Sequence, residues 1–203
     1  MQIKKKEVQN KIYQGAMEVF KENGYRGATM KEISKKSKVP IGNIYRYYEN
    51  KEVLFDDIVF ELYSTLKYNH IHEDLKKISS DLNQKPRVFL NNYINLATSK
   101  PMEFFILFDS SAGTKYENFL EELVEIRWEK YLAHKRKSGV KDENIDEDFI
   151  MILMKSAITS IIDICKKYSN NEKLLRYYLI KFDYFFRSDI GDKLKEVSFH
   201  TKN

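Results

Sequence analysis

One cysteine, three prolines and seven glycines are thinly spread over 203 residues, and each scarcity removes a class of protein. A lone Cys165 cannot close an internal disulfide, so a stapled secreted scaffold is excluded. Its place within an apolar helical stripe reads as core or interface packing rather than redox chemistry. So few chain breakers leave long segments rich in Lys, Glu, Leu and Ile, which favour helix over strand and point to an all-α protein. No window approaches the roughly 18–20 uncharged apolar residues that cross a bilayer. Even Ser156–Ile162 is bracketed by Lys155 and Asp163, so no membrane partner is expected. The opening MQIKKKEVQNK lacks the apolar stretch of a secretory signal, which makes a cytoplasmic protein the expectation.

Catalytic and metal-binding signatures are absent as well. There is no G-x-S-x-G, no glycine-rich phosphate loop and no H-E-x-x-H, so no enzyme is expected. His70 and His72 stand two apart in a helical stretch and face different sides, while His134 and His200 are isolated. Asp142–Asp148 lacks the spacing of an EF-hand loop, and its acids suit the first turn of a helix. Neither a metal nor a cofactor is expected.

What the chain does have is charge concentrated at one end. Met1–Lys51 holds 12 Lys and Arg against 5 Asp and Glu, and the remaining 152 residues hold 23 against 25. A compact basic segment joined to a near-neutral one suits a polyanion partner for the first part and another task for the second.

Punctuation divides the sequence into nine helices. Val8, Ile12, Ala16, Val19 and Phe20 form the stripe of the first, which stops where Gly24 takes the left-handed C′ position after Asn23 and Tyr25 folds back over Phe20. Thr29 and Glu32 read as a capping box opening the second. After the polar turn SKKSKVP, Ile41–Tyr48 forms a third helix of about two turns. Asn50 caps a long fourth helix with Val53, Leu54, Ile58, Leu62 and Leu66 on its buried stripe. Pro86 opens the fifth after the break at Ser79–Pro86, and Pro101 opens the sixth. The seventh is expected from about Lys115 to Lys137, the eighth from about Ile145 to Tyr168 and the ninth from about Asn171 to Arg187, with a polar tail after Ser188. A domain boundary is expected near the start of the fourth helix, dividing the chain into 1–50 and 51–203.

Two short helices around a tight turn have the spacing of a helix-turn-helix, whose second helix enters the major groove. Ile44 and Tyr48, four apart, are expected to face the core. That leaves Ile41, Gly42, Asn43, Tyr45, Arg46 and Tyr47 toward DNA. Gly42 lets the backbone approach the duplex, Asn43 suits a base edge or phosphate, the tyrosines suit phosphates, and Arg46 suits guanine or phosphate. Lys51, at a helix start, places an ammonium where a phosphate can sit.

Val39, Gly42, Ile44, Tyr45, Tyr47, Tyr48, Asn50, Lys51, Glu52 and Leu54, preceded by Ala16, Phe20, Gly24, Tyr25 and Thr29, carry a pattern that closely resembles the TetR family of bacterial transcriptional regulators. The resemblance covers Val8–Phe55. It implies a homodimer on an operator with two half-sites, released when a small ligand enters the C-terminal domain, with repression as the usual mode. It also implies that Thr29, Ile41, Gly42, Asn43, Tyr45, Tyr47 and Lys51 approach DNA. Pro40 and Ile41 depart from the family's usual Ser and polar residues, which bears on base preference.

In the C-terminal part the segments near 145–168 and 171–187 are apolar over more than one side, which suits a four-helix homodimer interface on the order of 2,000 Å² or more. A ligand pocket among the fourth to eighth helices is expected to draw its lining from Tyr63, Leu66, Tyr93, Phe104, Phe105, Phe108, Tyr116, Trp128 and Tyr131, suiting an apolar or aromatic effector. Two alternatives remain at this level: a helical DNA-binding or interaction protein with no small-molecule effector, and an enzyme of unrecognised chemistry using the aromatic cavity.

Overall fold

The computed structural model describes residues 2–72, 88–138 and 146–187. The helix start at Pro86, the break at Ser79–Pro86, the helix start at Ile145 and the tail after Ser188 lie outside the described residues, as do His200 and the side chain of His134. Among the described residues there are nine helices and no strand: α1 (Gln2–Gly27), α2 (Met30–Ser37), α3 (Ile41–Ile44), α4 (Lys51–His72), α5 (Val88–Ser99), α6 (Pro101–Asp109), α7 (Phe119–Ser138), α8 (Glu147–Tyr168) and α9 (Glu172–Arg187). No helix among them is long and apolar enough to cross a membrane.

The chain packs as two units, one of Met1–Tyr68 with Ser99–Phe119 and the other of Asn69–Thr98 with Leu120–Asn203. The division at 50/51 expected from the sequence is one of function, and packing neither supports nor opposes it.

In the first unit α1 packs on α2 and α6. Its core is Ile12, Ala16, Val19 and Phe20 from α1, Met30 and Ile33 from α2, then Val39, Ile44 and Tyr48, and Leu54, Phe55, Ile58 and Leu62 from α4. Val53, expected on the buried stripe, is 43% exposed, and Phe55 is fully buried in its stead. Adjacent helical residues point about 100° apart, so a stripe centred on Leu54 and Ile58 reaches Phe55 on one flank and leaves Val53 outside on the other.

Helix ends obey local chemistry. Gly24 has φ 66° and ψ 173°, a combination essentially confined to glycine, and the chain leaves the helical path there. It is thus not the left-handed helical cap expected, although Tyr25 does stack on Phe20 with ring centroids 6.1 Å apart. The capping box is complete: Glu32 N donates to Thr29 Oγ1 at 3.2 Å and Thr29 N to Glu32 Oε2 at 3.0 Å. Asn50, Asp146 and Asn171 cap α4, α8 and α9 through side-chain oxygens that accept from Val53 N, Phe149 N and Leu174 N.

Two boundaries differ from expectation. Only Ile41–Ile44 is α-helical in the third helix. Arg46 N and Tyr47 N donate three residues back, to Asn43 and Ile44 carbonyls, so the second half tightens into turns. The seventh helix starts at Phe119 rather than near Lys115, because Thr114, Glu117 and Phe119 amides also close three-residue turns.

The second unit is cored by Leu90, Tyr93, Ile94 and Ala97 of α5, Leu123 and Val124 of α7, Ile158, Ile161, Ile162 and Cys165 of α8, and Leu175 and Leu179 of α9. Burial pushes the Cys165 thiol up to about 12, so it stays a protonated, apolar packing group at neutral pH.

Candidate nucleic-acid interface

The recognition segment is built by a two-residue joint. Ser34 Oγ donates to the Val39 carbonyl at 2.7 Å, Val39 N donates to Ser37 Oγ at 3.3 Å, and Lys38 turns the chain with φ 57°. Val39, Ile44 and Tyr48 then fix the segment by burying 95% or more of their surface. Tyr48 is held further by donating to Asp57 Oδ2 at 2.7 Å, and its burial, opposed by the Gln9 hydrogen bond and reinforced by Asp57, pushes the phenol up to about 12.

With the inner face so fixed, the outer face is set. Ile41 is 41% and Tyr45 50% exposed, both large amounts for side chains of this kind, and Gly42, Asn43 and Arg46 are exposed beside them. Tyr47 is half-buried. These six expected residues therefore share one short segment. Thr29, also exposed, has its hydroxyl engaged at both ends of the capping box, accepting from Glu32 N and donating to Glu32 Oε2 at 2.8 Å.

Lys51 is more occupied than a surface lysine. Its Nζ donates to the carbonyls of Tyr25 at 2.6 Å and Ala28 at 2.8 Å and lies 4.3 Å from the centroid of the Tyr25 ring. Desolvation lowers its pKa, against the opposing pull of Glu32. An ammonium has three donors, so one remains for an outside acceptor. The turn it grips has other anchors: Tyr25 N donates to Ser110 O at 2.8 Å, and Arg26 pairs with Glu117 at 3.5 Å.

Not every cation of the basic end is available. Lys36 pairs with Glu22 at 2.7 Å and Glu18 at 3.6 Å, and Lys21 lies over the Phe105 ring. Lys5, Lys6, Lys31, Lys35, Lys38 and Arg46 have no ion-pair partner among the described residues.

The residues expected to line a pocket are dispersed. In the first unit Phe104, Phe108, Phe119, Tyr63 and Tyr116 form a run of rings with successive centroids 5.0, 5.6, 4.7 and 4.9 Å apart, continued by Phe55 at 6.2 Å from Tyr116. Tyr116 donates to Asp56, which also pairs with Lys115 at 2.5 Å; burial works against the Asp56 charge, but these two partners outweigh it and its pKa falls. Leu66 is fully buried, and Phe105 lies half-buried under Lys21. In the second unit Tyr93 is fully buried 2.7 Å from His70 Nε2, and Trp128 stacks on Tyr131 at 5.3 Å. Phe119 and Phe55 were missed from the sequence, although YENFLEEL and NKEVLF place each in the first turns of a helix.

A short, inwardly anchored and outwardly bare helix following a capped helix and a tight turn defines a helix-turn-helix DNA-binding protein. Residues 12–58 match the model of the bacterial regulatory proteins of the tetR family, and the helix-turn-helix lies within that match. The chain is 25% identical over 188 residues, 84% of this chain and 93% of the other, to the HTH-type transcriptional regulator YhgD of Bacillus subtilis. It is 33% identical over 61 residues to UidR of Escherichia coli, a match spanning 30% of this chain and 31% of UidR. In fold it is similar to the regulator FadR of Bacillus subtilis, solved in complex with stearoyl-CoA, at TM-score 0.51 and 18% identity over 89% of this chain and 98% of that one.

Proposed function

We propose that the chain is a ligand-responsive repressor that binds a palindromic operator as a homodimer and is released by a small apolar or aromatic effector. The observation that carries the DNA reading is the bare outer face of Ile41–Tyr47 over a fully buried Ile44 and Tyr48. Asn43, Arg46 and the Ile41 side chain read base edges, while Thr29, Tyr45, Tyr47 and the third donor of Lys51 meet phosphates. Gly42 permits the approach.

Homodimerisation is supported by the apolar surface on α8 and α9. Ile152 at 60%, Tyr177 at 54%, Tyr184 at 55% and Phe185 at 74% exposure are more than a stable monomer leaves to water. Two copies then present their recognition segments to successive major grooves about 34–36 Å apart. Release follows because α4 carries the Lys51 grip at one end and Tyr63 and Leu66 further along. An effector that binds better to a shifted α4 lowers operator affinity.

Selection of operators from a random duplex pool tests the reading. A palindrome with half-sites one helical turn apart is the expected result, and recovery of no consensus overturns it. Light scattering that shows a monomer at micromolar concentration overturns the dimer, and a compound screen in which no bound ligand alters operator affinity overturns the sensor.

A further inference from the structure

The core-facing side of α1 outlasts the core. Ile12 is the first fully buried residue of the helix, yet α1 begins at Gln2, ten residues earlier. On an α-helix positions 5, 9, 12 and 16 share one face, so the stripe that buries Ile12 and Ala16 continues toward the start of the helix as Gln9 and Lys5, with Lys6 on its flank. Gln9 is the point where this overhang meets the DNA-reading element: its Nε2 lies 3.4 Å from the hydroxyl of Tyr48, the buried residue that closes the recognition segment. Lys5 lies one turn beyond, about 6 Å along the axis. Lys5 and Lys6 are exposed, and neither has an ion-pair partner among the described residues. An overhang kept only for solubility has no reason to continue the inward stripe with cations beside the recognition segment. A polyanion lying along that segment supplies the missing counter-charge.

We propose that the first turns of α1 are a second DNA contact, in which Lys5 and Lys6 meet sugar-phosphate backbone flanking each half-site. The inference rests on the DNA-binding reading above and adds residues that carry affinity without base preference. It takes one occupant, duplex DNA, because the two ammonium groups stand on the turn of α1 that precedes Gln9, whose Nε2 reaches Tyr48 at the end of the element that reads the same duplex.

The test compares the full wild-type chain with Lys5→Gln/Lys6→Gln and Lys5→Arg/Lys6→Arg. Fluorescence anisotropy is read on the selected operator and on a scrambled duplex from 0.05 to 0.3 M KCl. Each phosphate contact contributes about 0.9 to the slope of log K against log salt, so the glutamine pair lowers the slope by about 1.8 per protomer. The same counterion arithmetic gives binding about 30-fold weaker per protomer at 0.15 M salt and about 200-fold weaker at 0.05 M. Loss by the same factor on both duplexes and wild-type slopes for the arginine pair are also expected. A slope within about 0.5 per protomer of wild type overturns the proposal, as does a loss confined to the operator. A wild-type chain that binds the two duplexes equally overturns the sequence-reading function instead, and the slope comparison on either duplex still decides whether Lys5 and Lys6 touch phosphate. Unchanged circular dichroism and melting temperature for both pairs exclude a folding origin; a melting temperature lowered in both alike shows that the lysines support the fold, and overturns the proposal.

Discussion

Gly42→Ala separates contact with DNA from stability more cleanly than any other substitution in the recognition segment. Gly42 lies inside α3 with no positive φ, and a Cβ built on it meets nothing within 4 Å. Alanine at an unstrained helical position is favoured over glycine by roughly 0.5–1 kcal/mol, much of it through reduced freedom of the unfolded chain. For a domain of this size that raises the melting temperature by about 1–4 °C. The free protein therefore tolerates or welcomes the methyl group. If the backbone at Gly42 approaches the duplex, the same methyl occupies space that DNA atoms must fill. Relieving such an overlap costs about 1–3 kcal/mol by analogy with overpacked cores, or about 5- to 150-fold in affinity. The assay is paired: a thermal melt of the free chain and anisotropy on the selected operator at fixed salt. A higher or unchanged melting temperature with affinity at least fivefold weaker is expected. Affinity equal to wild type refutes the placement of Gly42 against DNA, whatever the melt shows.

Gly15→Ala is expected to behave in the opposite way, since its Cβ falls 2.6 Å from Ser37 N and 2.8 Å from Ser37 Cα: forcing α2 off α1 costs about 1–3 kcal/mol beyond the gain in helix propensity, seen as a lower melting temperature without DNA present. Lys51→Met leaves the Tyr25 and Ala28 carbonyls short of a donor and is expected to lose about 2 kcal/mol, or roughly 4–8 °C in melting temperature, where Tyr45→Phe loses operator affinity and no stability. His70 titrates well below its ordinary 6.5, first through burial and then through Arg127 and Lys130, so the unfolded chain takes up the proton first. Its contribution is present above pH 6.5 and declines by about 1.4 kcal/mol per pH unit as pH falls below it; urea unfolding from pH 7 to 5 is expected to show this slope, and His70→Gln to remove it.

The parts legible in the sequence were those governed by neighbours in the chain. Thr29 and Glu32 specify a capping box three residues apart, and Asn50 accepts from Val53 N within one turn, so both were readable from residue type and spacing. The inward pair Ile44 and Tyr48 followed from helical period alone, even though the second half of that helix tightened into turns. What stayed hidden depends on partners far along the chain. Nothing near Lys51 announces that its acceptors are carbonyls 26 and 23 residues earlier. Aromatic residues at helical spacing do not reveal which rings meet, so Phe55 and Phe119 were missed and Phe105 was counted with rings it does not join. Gly15 carried a signal that was not used: a lone glycine inside an otherwise strong helical stretch marks a close approach of another backbone.

Those distant contacts bear on how much of the chain the DNA-reading element needs. The turn between α1 and α2 ends at Thr29, the first residue of the helix-turn-helix, and four residues of two later segments hold it. Lys51 grips two of its carbonyls, Ser110 accepts its Tyr25 amide, Glu117 pairs with its Arg26, and Phe55 packs 5.1 Å from Tyr25 and 5.0 Å from Phe20. None of these partners belongs to residues 1–50. A chain cut there exposes Phe20 and Tyr25 and leaves two backbone acceptors without their ammonium, losses of several kcal/mol against a total stability usually of about 5–15. The loop from Ser110 to Asn118 is tied to the same turn and, through Tyr116 and Lys115, to Asp56 on α4. A displacement of α4 therefore strains Lys51 and Asp56 together. The recognition segment rests on Ile44 and Tyr48 in the same core, so that strain reaches it.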